Sequence, residues 1–356
     1  MIKVLIVEDS PVMQELLVYT LNTDPVFKIV GIAANGEEAI EMAKKLKPNI
    51  IAMDWNMPKL NGYEATRIIM ETNPIPIVIV TGSMTVKDVA VTFSLISAGA
   101  VGIVKKPHSV DHPEYKKDTK ELIRMLKMMS EVKVVKRIQR HSKALEPAPP
   151  QLSKSVKADS EIKLIVIGAS TGGPLVLNKI ISGLIPNFPL PILIVQHISP
   201  GFVEGFVEWL KNTTGFPLHV ASHGEYALPG HAYIAPDGCH MGVEYGPRII
   251  LSKHEPEDGL RPSVSYLFRT AAKVFGSEAI GVLLTGMGSD GAEELKQMKD
   301  NGALTIAQDK ESSVVHGMPG EAIKMNAATN ILSPEEIITL LNSLVTKKLK
   351  ITKNES

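Results

Sequence analysis

The sequence predicts an α/β fold in two parts, each a doubly wound parallel sheet with helices on its faces. Three observations lead there. The chain has 356 residues, more than one hydrophobic core usually holds. In both halves short apolar runs alternate with segments of helical period, the pattern of βα units around a parallel sheet. Between the halves lies "LEPAPPQLSKSVKADS", residues 145–160, rich in proline, serine and lysine and without periodicity, which reads as an extended linker.

In the first half the predicted strands are Val4–Val7, Ile29–Ala33, Ile50–Met53, Ile77–Val80 and Val101–Val104. Residues 114–140 follow as a lysine-rich helical stretch, with Leu122, Met125, Leu126, Met129 and Val132 near i, i+3, i+4 spacing on one face. In the second half the runs Leu164–Ile167, Ile192–Val195, His231–Ile234 and Ile280–Leu284 predict further strands, with "YGPR" at 245–248 as a hairpin turn. The expected division is 1–125, an extension and linker at 126–160, a second domain at 161–347 and a tail at 348–356. No internal repeat is found.

Composition narrows the function. Hydrophobic residues make up 44% of the chain, as in globular domains, and 38 basic residues balance 38 acidic ones. No global field draws the protein to nucleic acid or to an anionic membrane. A basic start with an apolar h-region is not seen, no apolar run is long enough for a bilayer, and the single cysteine excludes a disulfide framework. A cytoplasmic protein is expected, with Cys239 a small buried hydrophobe.

The predicted strands of the first half end in Glu8-Asp9, in Asp54, in Thr81 and in Lys106-Pro107. Ligand sites of open α/β sheets lie beyond the carboxyl ends of the strands, so these groups should converge. Three carboxylates in one pocket repel unless a cation sits among them, and hard oxygen donors suit Mg²⁺.

The glycine-rich turn "IGASTGGP", residues 167–174, opens the chemistry of the second half. A dinucleotide site would need G-x-G-x-x-G and an acid closing the next strand. The spacing Gly168-x-x-x-Gly172-Gly173 does not match, and the next strand ends in Gln196-His197. Gly168-x-Ser170-x-Gly172 does match a strand-to-helix elbow that exposes a hydroxyl. Serine also caps helices, so the elbow alone decides little. His197 ends the adjacent strand and Asp290 lies in "LLTGMGSDGAEEL", another strand-to-helix junction. A serine hydroxyl needs a neighbouring base, His197, and an acid that fixes the imidazole, Asp290. Backbone amides around Ser170 and Met287 could bind the oxyanion. The chain order Ser, His, Asp departs from that of α/β-hydrolases.

"VEDS", "MDWNMPKLNG", "VTG" and "KKP" make the first 125 residues resemble a two-component receiver domain, a flavodoxin-like sheet. The resemblance implies that Asp54 accepts a phosphoryl group from a chemotaxis histidine kinase. Glu8, Asp9 and Asp54 would hold Mg²⁺, Thr81 would hydrogen-bond the phosphoryl oxygen, and Lys106 rather than Lys105 would pair with its charge. Ile103 stands where receivers often carry an aromatic switch residue, which directs attention to Thr81 and the loop 82–88 instead.

"IGASTGGP", "QHISPGF", "APDGCHM", "RPSVSYLF", "LLTGMGSDGA", "AQD" and "GMPGEAI" make residues 161 to about 345 resemble the catalytic domain of the chemotaxis protein-glutamate methylesterase family, CheB. The resemblance implies hydrolysis of glutamyl γ-methyl esters on methyl-accepting chemotaxis receptors, with release of methanol, and deamidation of receptor glutamines. Ser170, His197 and Asp290 take the catalytic roles, Thr171 and the Met287 amide support the site, and the esterase needs no cofactor. Leu260, Ser265, Glu294 and His316 depart from the family's usual residues, while His240 falls in a family block near the cleft. His219, His223, His231 and His254 lack metal-ligand spacing such as H-E-x-x-H. The unphosphorylated receiver is expected to restrain the esterase and phosphorylation to release it.

Overall fold

The computed structural model describes residues 1–82, 86–132, 134 and 161–354. The predicted linker at 145–160 and residues 83–85 of the loop 82–88 lie outside them. The chain divides into two compact units, residues 1–143 and 144–356.

The first unit runs β1 (Ile2–Val7), α1 (Pro11–Asn22), β2 (Phe27–Ala33), α2 (Gly36–Leu46), β3 (Ile50–Met53), α3 (Gly62–Thr72), β4 (Ile77–Thr81), α4 (Val86–Ala98), β5 (Gly102–Lys105) and α5 (Tyr115–Met129). Its five strands lie in the order β2-β1-β3-β4-β5, and every pairing is parallel. Strands β3 and β4 are buried along their whole length, as expected where helices cover both faces of a parallel sheet. Caps set where helices begin. The Asn35 side chain accepts from the amides of Glu37 and Glu38, and Glu38 reaches back to the Ala34 amide, so α2 starts with its orphan donors satisfied. Helix α5 stops at Met129, short of the stretch read as helical to residue 140; residues 133 and 135–140 are outside the described ones. Its Leu122, Leu126 and Met129 are buried.

The second unit begins with β6 (Leu164–Ala169), α6 (Gly173–Ser182), β7 (Ile192–Gln196), α7 (Val203–Thr214), β8 (Leu218–Val220) and β9 (Ala232–Ile234). A hairpin, β10 (His240–Glu244) and β11 (Arg248–Ser252), follows around the predicted turn. Then come α8 (Val264–Phe275), β12 (Ala279–Leu283), α9 (Ala292–Asp300), β13 (Leu304–Gln308), α10 (Met318–Lys324), β14 (Asn330–Leu332) and α11 (Pro334–Asn354). Seven parallel strands lie in the order β14-β13-β12-β6-β7-β9-β8. The core sits on Leu164, Val166, Leu193 and Val195 of the sheet against Leu267 and Phe268 of α8 and Leu295 and Met298 of α9.

Each sheet reverses its winding beside its first strand, between β1 and β3 in one unit and between β6 and β12 in the other. Loops on either side of such a point part and leave a crevice. Among the described residues no helix is long and apolar enough to cross a membrane.

Candidate functional site

In the second unit the crevice lies beyond β6, β7 and β12. Ser170 follows β6 directly, and its amide donates to Thr285 O at 3.0 Å while its carbonyl accepts from Gly173 N at 2.9 Å. The tight turn needs Gly172, whose φ of +80° is a left-handed conformation that a side chain would strain. His197 follows β7 and is tied to β6 by its amide, which donates to Ala169 O at 2.9 Å. Ala169 and Gln196 are partners in the parallel register, so Ser170 and His197 are the next residues on neighbouring strands, whose spacing is about 4.8 Å.

Asp290 reaches His197 from the loop after β12, with Oδ2 2.9 Å from His197 Nε2. The same oxygen accepts from Val264 N at 2.7 Å, and Oδ1 accepts from the Ser263 hydroxyl and from Ser265 N, each at 2.9 Å. Three hydrogen-bond donors and the charge-pair contact of His197 Nε2 therefore surround one carboxylate. The three donors belong to the start of α8, whose N-terminal dipole also favours a negative charge. Ser263, fully buried, both caps α8 and holds Asp290. Burial alone would raise the Asp290 pKa. The pairing with His197 and its charge, with the Ser265 and Val264 amides, outweigh burial and lower it from 3.8 to about 2.

The sign of the resulting pH dependence follows from linkage. A carboxyl ionised more readily in the folded state stabilises above its unfolded pKa, and that stabilisation fades as pH falls through the folded value. Asp290 is thus expected to contribute about 2 kcal/mol at neutral pH, lost between about pH 4 and pH 2. Comparing urea midpoints of the parent and Asp290→Ala across that range checks this. The two curves should converge near pH 2, and a constant gap would contradict the assignment.

The loop carrying Met287 is pinned beside Ser170. A Cβ on Gly286 would come within 2.7 Å of Ser170 Cβ. Gly286 N donates to Val315 O, and Gly286 O accepts from Gly317 N and Met318 N, so the Met287 amide is used by none of these bonds. Met287 is 47% exposed. The Thr285 hydroxyl donates to Thr171 O at 2.9 Å and accepts from Val315 N at 3.0 Å, which joins the Ser170 turn to the Met287 loop. Thr171 itself is half-buried.

In the first unit the carboxyl ends of β1 and β3 bring Glu8, Asp9 and Asp54 together, with one oxygen of each within 4.8 Å of the others. Lys106, after β5, puts Nζ 2.6 Å from Asp54 Oδ2 and 2.7 Å from Glu8 Oε2. Burial raises the Glu8 pKa and the Asp54 charge adds to it, against the opposing pull of Lys106. Burial opposes the Lys106 charge, yet its bonds to Asp54 and Glu8 prevail and its pKa lies above the ordinary lysine value. Thr81 is fully buried at the end of β4. Lys105 points elsewhere, its Nζ 3.4 Å from His108 Nε2, and Ile103 packs against the core of the unit.

Two groups that shape the second site, Thr285 and Gln308, were not singled out from sequence, and the surroundings of others that were singled out are now plain. Thr285 and Gln308 are fully buried, and Gln308 Oε1 accepts from Thr285 N at 2.8 Å while its Nε2 donates to Ser312 O at 3.0 Å. Ser265, noted only as a departure, donates its amide to Asp290 and accepts from Gly291 N through its hydroxyl. Glu294, another departure, is buried and pairs with Arg269 at 3.2 Å. His240 is fully buried with Nε2 3.1 Å from Glu255 O and its ring stacked on Tyr266. His219 and His231 form a pair 2.8 Å apart. Cys239 is half-exposed, correcting the expectation of a buried hydrophobe, because it sits in the turn before β10 rather than in a strand.

Known proteins are similar to this chain over nearly its whole length. A family model described as CheB methylesterase matches residues 165–341, and one described as response regulator receiver domain matches residues 4–117. A protein-glutamate methylesterase/protein-glutamine glutaminase of Nitrosospira multiformis is 51% identical over 353 residues, covering 98% of each chain. A protein of the same name, numbered 1, from Syntrophus aciditrophicus is 53% identical over 346 residues, or 97% of this chain and 98% of its own. The crystal structure of the Thermotoga maritima CheB methylesterase catalytic domain is 39% identical with a TM-score of 0.50, covering 52% of this chain and 100% of that one.

Proposed function

The chain belongs to the CheB methylesterase family, with a response regulator receiver domain ahead of the esterase domain, and from that premise we propose a phosphorylation-controlled serine hydrolase acting on chemoreceptors. It is a protein-glutamate methylesterase and protein-glutamine glutaminase. The observation that carries the mechanism is the His197–Asp290 pair, 2.9 Å apart, ending on the strand next to the Ser170 elbow.

Asp290 engages Nε2 of His197, which leaves Nδ1 to take the proton of Ser170 as Oγ attacks the ester carbonyl carbon. The carbonyl oxygen then becomes an oxyanion that backbone amides of the Thr171 and Met287 turns stabilise. Collapse breaks the C–O bond to methoxide, which leaves as methanol with the proton held by His197. A water molecule, deprotonated by His197, attacks the acyl-serine and releases the glutamate side chain as a carboxylate. A glutamine substrate follows the same path and releases ammonia. The substrates are methyl-accepting chemotaxis receptors, and their demethylation serves adaptation in the cytoplasm.

In the receiver, Asp54 accepts a phosphoryl group from a chemotaxis histidine kinase. Glu8, Asp9 and Asp54 fit Mg²⁺ by their hard oxygen donors and their close spacing. Bound there, the ion supplies positive charge for phosphoryl transfer. Lys106 already faces Asp54 and pairs with the new charge, while the Thr81 hydroxyl hydrogen-bonds a phosphoryl oxygen. Phosphorylation raises esterase turnover.

The test is methanol release from a methylated receptor fragment with and without acetyl phosphate and Mg²⁺. Addition of the donor is expected to raise turnover severalfold in the parent, and Asp54→Ala should abolish the rise while keeping basal turnover. A full response in Asp54→Ala, with phosphoryl label retained, would remove Asp54 as acceptor.

A further inference from the structure

Resting on the Ser170, His197 and Asp290 reading, we propose that Gln196 is a positioning residue that fixes the nucleophile turn and the base turn at one spacing. Gln196 closes β7 and is 3% exposed. Its Nε2 lies 2.7 Å from Ser170 O and 2.9 Å from His197 O. Both partners are carbonyls and can only accept, so the NH₂ end of the amide must face them, with one N–H for each. A single planar group therefore bridges the backbone of the nucleophile and the backbone of the base. It does so where the backbone can no longer help. Among the described residues the last ladder bond joining these two strands is His197 N to Ala169 O, and beyond it no ladder holds the two turns in register.

The other half of the amide shows that packing alone does not explain the residue. Gln196 Oε1 is buried and has no donor among the described residues. It lies against Gly173, where a Cβ would come within 2.1 Å, so the carboxamide fits only because residue 173 has no side chain. A buried acceptor without a donor costs stability, and a methionine of similar length would carry no such cost. Gln308 makes the contrast, because its oxygen and its nitrogen both have partners. Gln196 breaks a rule of core chemistry at the spot where two reacting groups must be aligned, which is where such breaches are expected.

The experiment uses the full chain with Gln196→Met and with Gln196→Glu, which keeps the shape but turns a carboxylate toward two carbonyls. Methanol release from a receptor fragment bearing glutamate γ-methyl esters gives kcat and KM. A serine-directed fluorophosphonate gives the rate at which Ser170 reacts, and circular dichroism gives the folded fraction and thermal midpoint. For Gln196→Met, kcat is expected to fall roughly 10- to 100-fold with little change in KM, since misplacing a reacting group by about 1 Å can cost about 100-fold. Fluorophosphonate labelling should slow in parallel while the thermal midpoint holds or rises. Gln196→Glu should lose at least as much turnover per folded molecule. A kcat near the parent's in Gln196→Met, with Ser170→Ala inactive, would overturn the proposal and leave the triad standing. Activity that falls only with the folded fraction would make Gln196 a packing residue and overturn it equally. Turnover retained by Ser170→Ala would instead overturn the triad on which the proposal rests.

Discussion

Ser170→Ala and His197→Gln are each expected to lower methanol release by roughly 10⁴-fold or more, the scale on which serine hydrolases lose rate when nucleophile or base is removed. Alanine supplies no oxygen to attack the ester. Glutamine cannot carry a proton from the serine to the leaving methoxide. The two losses should not add, because each removes the same step. A double variant as slow as either single one is the expected outcome, and a loss equal to the product of the two would mean that the residues do not act as a unit. Ser170 is half-buried, and removing its hydroxyl leaves the Ser170 N and O bonds of the turn in place, so the fold should be unaffected. Receptor binding measured on the same sample separates an esterase from an adaptor that only binds. Intact binding with lost turnover supports the esterase, and unchanged turnover would remove Ser170 from the mechanism.

Asp290→Asn is expected to cost on the order of 10³- to 10⁴-fold in kcat, somewhat less than either change above. The native carboxylate accepts from three donors through two oxygens and pairs with His197 Nε2 at 2.9 Å. Asparagine keeps one oxygen and replaces the other with NH₂, which then faces donors. If the NH₂ takes the Oδ2 side, it meets Val264 N–H and pushes His197 to present a lone pair at Nε2. The imidazole proton then moves to Nδ1, and the base toward Ser170 is lost. If the NH₂ takes the Oδ1 side, it opposes the Ser263 hydroxyl and Ser265 N–H at the start of α8. The variant should therefore also melt several degrees lower, unlike Ser170→Ala. Equal melting temperatures in the two variants would count against a carboxylate that joins catalysis to helix capping.

The legible part of the fold was the part with long buried strands. Ile50–Met53 was read with its observed ends, and β1, β2, β4, β6 and β7 within two residues, because a fully apolar run between turn signals leaves little choice. Strands β8, β13 and β14 were not read. In β8 (LHV) and β14 (NIL) a polar residue leaves at most two apolar ones in a row, and in β13 (LTIAQ) Thr305 and Gln308 break the run, whereas the three-residue β9 (AYI) is wholly apolar. The hairpin turn at Tyr245 was visible while β10 and β11 on its flanks were not assigned. The loops that carry Ser170, His197 and Asp290 were found because glycine and charged residues cluster there after apolar runs. The structural parts of Gln196, Thr285 and Gln308 were not, since the bonds of a buried glutamine or threonine leave no trace in the sequence around it. Such a residue takes its meaning from which backbone groups the folded sheet brings within reach.

The outline of the second sheet has a consequence of its own. Strands of five or six residues occupy its middle, β6, β7, β12 and β13, while both margins, β8 and β14, are three residues long. A sheet margin is a row of unpaired amides and carbonyls that another polypeptide can extend, and the hazard grows with its length and apolarity. Here the apolar runs most prone to stack are the central ones, covered on both faces and paired on both sides. What remains at the rim of this sheet is too short to template a stable intermolecular ladder. The vulnerable interval is folding itself, when those central runs must find partners far away in sequence before anything covers them.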